Sequence, residues 1–239
     1  MSREAEARDL LARIARDCHP AALASSLSAE DMLLADLIAR DRLPIEIFVL
    51  DTGRLHGDTL ELIPRMEQRY GIDVRVWHPQ PRAVGEYVLR FGRNAFYRSP
   101  ELRKQCCHLR KVEPLARALA GKSAWISGMR REQSALRSAI ALEEWDVAHG
   151  LKKFNPLAIW REQEVWDYVR RHEVPYNPLH DQGYRSIGCA PCTRPVVEGE
   201  DARAGRWWWE KDVPDGRGAE CGIHFSADGK LIREKQHEI

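Results

Sequence analysis

The sequence predicts an α/β protein built on a doubly wound, mostly parallel sheet that carries a C-terminal tail. Three observations predict it. Three short apolar stretches have strand length, two segments with a helical period separate them, and the connections are of ordinary length. At 239 residues and 27.5 kDa the chain suits one such domain and can bury a full core. The expected division is a body over residues 1–195 and a flexible tail over residues 196–239.

The elements follow in order. Glu4 to Asp17 reads as an amphipathic helix with Leu10, Leu11 and Ile14 on one face. Ala21 to Ser26 is a run of small residues fit for a buried first strand. Ser28 is a good N-cap for the helix that holds Met32, Leu33, Leu37 and Ile38, with Asp31 expected to reach back to it. Ile45 to Leu50 is a clear strand ending at Asp51-Thr52-Gly53-Arg54. A helix from about Gly57 to Tyr70 stops at Gly71, and Val74 to Trp77 is a third strand. Arg82 to Ser99 has no clean period. Glu101 to Leu119 reads as a helix carrying Cys106 and Cys107, with Pro114 expected to kink it or to begin a second helix. Ser123 to Gly128 is a strand followed by the loop Met129 to Ser134, and Lys152 to Leu157 leads into a helix over Glu162 to His172. From Pro175 onward the sequence is rich in loops. Ligands of such sheets bind beyond the carboxyl ends of the strands, which puts Ser25–Asp31 and Asp51–Arg54 on the rim expected to be the site.

Lys plus Arg minus Asp plus Glu is 37 − 36 = +1, so no global field draws the chain to nucleic acid or to an anionic membrane. The apolar runs fall well short of the ~18 residues of a membrane helix. The N-terminus carries Glu4 and Glu6 and no apolar export segment, so a cytoplasmic protein is expected. In that reducing compartment six cysteines point to metal binding or catalysis rather than to disulfides.

Five of the six cysteines form a pattern. Cys106 and Cys107 are adjacent, Cys189 and Cys192 stand three apart between Gly188 and Pro195, and Cys221 sits in Glu-Cys-Gly-Ile-His. Cys18 is left over and reads as an inert buried thiol. Neighbouring cysteines on a helix point about 100° apart, which suits two irons of one cube better than one tetrahedral zinc. A [4Fe–4S] cluster is therefore favoured, while zinc and an unmetallated core pair stay open. Cys221 is the candidate mobile thiolate, with backbone freedom from Gly222 and with His224 placed to hold an anion or lower the thiol pKa. An exposed cysteine in a tail is the plainer reading of that residue alone.

The segments Ser25–Met32, Leu50–His56, Cys106–Lys111, Gly128–Ser134, Lys153–Leu157, Tyr176–His180, Ser186–Thr193 and Glu220–His224 resemble, in this order, the assimilatory adenylyl-sulfate reductases. These form the iron–sulfur branch of the phosphoadenylyl-sulfate reductase family, and the resemblance runs from about residue 20 to 228. It implies a fold of the adenine-nucleotide α-hydrolase type, a [4Fe–4S] cluster on Cys106, Cys107, Cys189 and Cys192, and Cys221 as nucleophile. It implies that Lys111, Arg203, Arg206 and His224 hold the phosphosulfate, that Arg137 serves the nucleotide side, and that Ser25, Ser26 and Asp51 line the adenosine pocket. The implied reaction turns adenylyl sulfate into sulfite and AMP through an S-sulfocysteine, with thioredoxin or glutaredoxin as reductant, in sulfate assimilation and cysteine biosynthesis. The cluster is then structural and electrostatic rather than an electron carrier. A homo-oligomer is compatible with the resemblance.

One departure stands out. Ser26-Leu27-Ser28-Ala29-Glu30-Asp31 lacks both glycines of the related pyrophosphatase loop, which suits a substrate with one phosphate and one sulfate. Three rivals follow: 3′-phosphoadenylyl sulfate as substrate, an ATP-dependent thiolating or adenylating enzyme with a cluster, and a non-catalytic redox sensor. The four cluster cysteines argue against the first, the missing glycines and near-zero charge against the second, and Cys221 against the third.

Overall fold

The apolar stretches pair side by side into one six-stranded sheet. The computed structural model describes residues 2–210. Strand β1 (Ala21–Ser25) lies at the centre, parallel to β2 (Ile45–Leu50) on one side and to β4 (Ala124–Ile126) on the other. Outside β2 lies β3 (Arg75–Trp77), and outside β4 lies β6 (Leu151–Phe154), both parallel. β5 (Glu143–Asp146) closes that edge in antiparallel register, Trp145 facing Lys152. The order is β3-β2-β1-β4-β6-β5. Winding therefore reverses between β1 and β4, and a crevice opens at their carboxyl ends.

Strand residues alternate between two buried faces, which is why the strands read as apolar runs. Leu23, Ile47 and Val49 pack under α1 (Arg3–Asp17), α2 (Ala29–Arg40), α3 (Gly57–Tyr70) and α7 (Glu162–Arg171). Ala22, Phe48 and Trp125 point the other way, onto Leu115, Ala118 and Leu119 of α6 (Glu113–Leu119). Helix α2 is buried from Ala29 to Ile38, acids included. Its Asp36, 1% exposed, accepts from Tyr70 Oη at 2.8 Å and Tyr168 Oη at 2.6 Å, fixing α2 to α3 and α7.

Several expectations need correction. Arg82–Ser99, without a legible period, holds α4 (Pro81–Phe91), started by Pro81 and stopped by Gly92 at φ +94°. The cysteine helix is α5 (Pro100–Cys107), and it runs through a π-helical turn at His108–Val112 into α6. Pro114 sits in the first turn of α6, where its missing N–H costs nothing. Lys152–Leu157 begins as β6 rather than as a helix lead, and β5 had no counterpart in the sequence reading. Ser28 is the N-cap of α2 by backbone, but its side chain caps no amide. Asp31 touches the Ser28 hydroxyl only at 3.4 Å and spends its carboxylate elsewhere.

Residues 196–210 are held to the body. Arg194 N donates to Gly205 O at 3.0 Å, Val196 N to Gly183 O at 3.0 Å, and Trp207 N to Cys192 O at 3.2 Å. No described helix is long and apolar enough to cross a membrane.

Asp36→Ala is expected to cost about 3 kcal/mol in urea unfolding, because two buried tyrosine hydroxyls lose their acceptor. Tyr168→Phe should cost about 1 kcal/mol. A loss below that smaller figure for Asp36→Ala would show that the hydroxyls find other partners.

Candidate active site

A cavity of about 480 Å³ opens at the switch point, lined by Ser25, Ser26 and Asp31 from the β1 side, Thr52 after β2, and Ser127 and Gly128 after β4. Asp31 assembles this rim. Its Oδ2 accepts from Ser26 N at 2.7 Å and Ser26 Oγ at 2.6 Å, and its Oδ1 accepts from Gly128 N at 2.9 Å. Burial pushes its pKa up from 3.8 to about 6, against the Ser26 and Gly128 hydrogen bonds that favour the anion. Between these anchors Leu27 adopts φ +61°, the left-handed region usually left to glycine. Its N–H donates to Ser25 Oγ at 3.1 Å, so the turn is fixed from both sides.

Glu30 secures the next loop. Arg130 Nε donates to Glu30 Oε1 at 2.9 Å and Gln133 Nε2 at 3.0 Å, while Arg137 Nη1 donates to Gln133 Oε1 at 2.5 Å. Burial opposes the Glu30 charge, but the Arg130 guanidinium wins and holds its pKa below the usual carboxylate value. Arg130, Gln133 and Arg137 line this end of the cavity.

No described cysteine lines the cavity, but the thiols lie beside two residues that do, Lys111 and Arg206. Cys107 closes α5, and Cys189 and Cys192 flank a 3-10 turn in which Cys192 N donates to Cys189 O at 2.9 Å. That turn is pinned to the β2 rim: Ala190 N donates to Arg54 O at 2.7 Å, and Thr52 Oγ1 lies 3.2 Å from Cys189 Sγ. Burial, then the neighbouring Cys189, push the Cys192 thiol up to about 12, while Lys111 and Arg206 pull it down. Burial also raises Cys106, with Arg110 opposing and Cys189 adding to the rise. These three thiols therefore feel one another's charge, an arrangement a bound metal cation would reverse by holding them deprotonated. Among the described residues no three Cys, His, Asp or Glu side chains could hold a metal ion. The donor chemistry of Cys106, Cys107, Cys189 and Cys192, two adjacent thiols and a Cys-x-x-Cys pair, suits a larger thiolate-bound group.

Cations border the thiols and the cavity alike. Lys111 lies in the π-helical turn after Cys107, a local irregularity frequent at functional sites, and it lines the cavity with Arg203 and Arg206. Arg206 Nη1 donates to Ser186 Oγ at 3.3 Å, and its Nε is buried without a partner. The guanidinium lies against Gly188, where a Cβ would come within 2.5 Å of Nη2.

With this geometry in place the relatives are informative. Residues 20–195 match the phosphoadenosine phosphosulfate reductase domain. The chain belongs to that family. It is 55% identical over 223 residues to the adenosine 5′-phosphosulfate reductase of Allochromatium vinosum, covering 93% of this chain and 86% of that protein. It is 54% identical to that of Burkholderia cepacia, covering 91% of this chain and 85% of that one. A phosphoadenylyl-sulfate reductase of Candida auris superposes with TM-score 0.67 over 82% of this chain and 91% of its own, at 24% identity. Yeast FAD synthetase superposes with TM-score 0.57 at 12% identity, over 81% of this chain and 66% of its own. These two likenesses concern the fold, which is of the adenine-nucleotide α-hydrolase type.

Of the residues singled out in the sequence, Ser25, Ser26, Lys111, Arg137, Arg203 and Arg206 line one cavity. Asp51 does not. Its Oδ1 accepts from Gly53 N at 2.8 Å and its Oδ2 lies 3.5 Å from His78 Nδ1, and the neighbouring Leu50 and Thr52 line the wall instead. Cys221 and His224 lie outside the described residues. Sequence reasoning missed the Glu30–Arg130 pair, the role of Asp31 and the close packing at Gly128 and Gly188. Adjacent acids at a helix start, with no basic partner nearby in sequence, were the available signal.

The two glycines should respond differently to a methyl group. At Gly128 it would meet Asp31 Oδ1 and come within 2.8 Å of Glu30 Cβ, all firmly buried, so Gly128→Ala should cost about 2–3 kcal/mol. At Gly188 it meets the far end of the Arg206 side chain, which can swing away, so Gly188→Ala should cost under about 1 kcal/mol in the same denaturant titration. Equal costs would remove the distinction.

The folded-state pKa of Asp31 lies above its unfolded value of 3.8, so the folded protein binds the extra proton between about pH 4 and 6. Its contribution favours the fold at low pH and turns against it as pH rises through about 6, by about 3 kcal/mol in all. Relative to the wild type, Asp31→Asn should therefore gain stability from pH 4.5 to 6.5, read from urea midpoints. A constant difference would contradict the raised value.

Proposed function

We propose that this chain reduces adenylyl sulfate to sulfite and AMP, with thiols as electron donors. The observation that carries the reading is one cavity that is lined by Ser25 and Ser26 at the strand ends and by Lys111, Arg203 and Arg206, with Lys111 and Arg206 also acting on the Cys192 thiol. The relatives named adenosine 5′-phosphosulfate reductase, at 55% and 54% identity over nine-tenths of the chain, support the substrate.

In this reading the nucleoside sits against Ser25, Ser26 and Arg137, and the phosphosulfate reaches toward Lys111, Arg203 and Arg206. Charge-assisted contacts to a desolvated anion contribute roughly 1.5–3 kcal/mol each. Cys221, with His224 near it in sequence, supplies the nucleophile from residues 211–239. Its thiolate attacks the sulfate sulfur, an S–S bond forms, the S–O bond to phosphate breaks, and AMP leaves with that oxygen and the electron pair. A thiolate of a dithiol reductant such as thioredoxin or glutaredoxin then attacks Cys221 Sγ, and sulfite departs with the S–S electron pair. The reductant's second thiol releases Cys221 and leaves the reductant as a disulfide, so two thiols are oxidised for one sulfate reduced. When bound on Cys106, Cys107, Cys189 and Cys192, a [4Fe–4S] cluster supplies structure and a fixed electrostatic environment. The protein's own part at that end is to hold Lys111 and Arg206 between thiols and anion, and to keep water off a mostly buried site. A cytoplasmic setting, where thiol reductants operate, agrees with this chemistry.

Intact-mass measurement after mixing with adenylyl sulfate, without reductant, tests the reading. The expected gain is one SO3, mapped to Cys221, absent in Cys221→Ser and discharged by added thioredoxin. No adduct on the wild-type protein would overturn the proposed chemistry.

A further inference from the structure

Far from the nucleotide end, one buried ion pair has no part in the chemistry above. Arg103 Nε donates to Glu210 Oε1 at 2.6 Å, with side chains 2% and 8% exposed. Arg103 stands on α5 one turn before Cys107, whose sulfur is within its hydrogen-bonding reach. Glu210 belongs to the segment that follows the Cys-x-x-Cys turn. The pair therefore bridges the two cysteine-bearing parts of the chain.

Between them lies Trp207, buried at 3% and with φ +46°. The Arg103 guanidinium lies over its ring at 4.6 Å from the centroid, and so does that of Arg206. The Trp207 amide is tied to Cys192 O at 3.2 Å, and Arg206 bridges to Thr193. A left-handed tryptophan persists only where its surroundings over-determine it. Here they do so from three sides: the ion pair, the stacking and the bridge.

We infer that Arg103, Glu210 and Trp207 form a latch that sets Arg206 in the cavity, as positioning residues for the anionic part of the substrate. The reasoning is electrostatic. Two guanidiniums sharing one ring repel each other unless one is neutralised, and Glu210 neutralises Arg103. The charge of Arg206 is then left for an incoming anion, and the ring fixes its plane over Gly188. Without the Glu210 carboxylate the buried Arg103 loses its acidic partner beside Arg206, so the 194–210 segment is driven off α5.

This rests on the proposed function for the identity of the anion, and the test separates the two. In full-length protein carrying Cys221→Ser, so that no transfer occurs, titration calorimetry with adenylyl sulfate and with AMP is compared, together with amide hydrogen exchange of residues 194–210. Adding Glu210→Gln should weaken adenylyl sulfate about tenfold, the loss of about one well-placed charge-assisted contact, and AMP far less. Exchange of residues 194–210 should rise. Trp207→Leu keeps the ion pair but removes the ring, and it should give the same selective loss even if Glu210→Gln does not fold. Equal losses for both nucleotides, or unchanged exchange, would overturn the latch. Failure of the parent protein to bind adenylyl sulfate would count against the proposed function alone, since the exchange comparison still reads the latch.

Discussion

The carboxylate of Asp31 is the constraint on which the rim of this sheet depends. It joins the end of β1, through Ser26, to the end of β4, through Gly128, at the point where the winding reverses. An open sheet separates its strand ends there, and only a buried acceptor can bind amides from both sides at once. Burying it works against the charge, and the raised pKa measures that cost. Three hydrogen bonds offset it, and Gly128 is the residue that leaves room for them. Glu30, one position earlier, does the same for the following loop with Arg130 and Gln133. The start of α2 is thus a two-pronged clamp, which explains why a helix buried all along its inner length carries acids at all.

Charge in the cavity is divided between its ends. At the Arg137 end Arg130 is matched by Glu30 and Glu132, and Arg185 by Glu162. At the thiol end Lys111 and Arg206 face sulfur, and both lower the pKa of Cys192. The same cations also line the cavity, so one pair of charges acts on the thiols and on the cavity wall. A chain with formal charge +1 needs no global field for this, because burial makes a few local charges count for more than many solvated ones.

Much of this could be read in the sequence, for physical reasons. β1, β2 and the end of α3 at Gly71 were legible because local signals decide them: apolar runs buried on both faces, and a glycine that takes φ +63°. Spacing grouped the cysteines, and Cys106, Cys189 and Cys192 do come near enough to feel one another's charge. β5 was not, because Glu143-Glu144-Trp145-Asp146 is polar, and only pairing with β6 and the Lys153–Glu144 bridge at 2.8 Å make it a strand. The capping box at Ser28 misled, because Asp31 found better partners in Ser26 and in Gly128, the latter far away in sequence. Asp51 misled because the residue after a strand can face either way, and here Thr52 took the inward position. Contacts such as Arg103 with Glu210 join distant parts of the chain, and no local pattern announces them.

The missing glycines at the β1–α2 turn connect fold to recognition. A glycine loop lets backbone amides approach a pyrophosphate closely. Here Leu27 takes the left-handed turn, at a cost of roughly 1–2 kcal/mol, and buries its side chain to 1% exposure, which recovers roughly 1.5–3 kcal/mol. The turn is therefore stable but committed: the Ser26 amide is bound by Asp31 and the Leu27 amide by Ser25. With these donors occupied, the positive groups that line the cavity are side chains. Lys111 comes from the π-helical turn after α5, and Arg203 and Arg206 come from the segment beyond the Cys-x-x-Cys turn. Both carriers also hold cysteines, so the same two segments position the cavity's cations and the thiols.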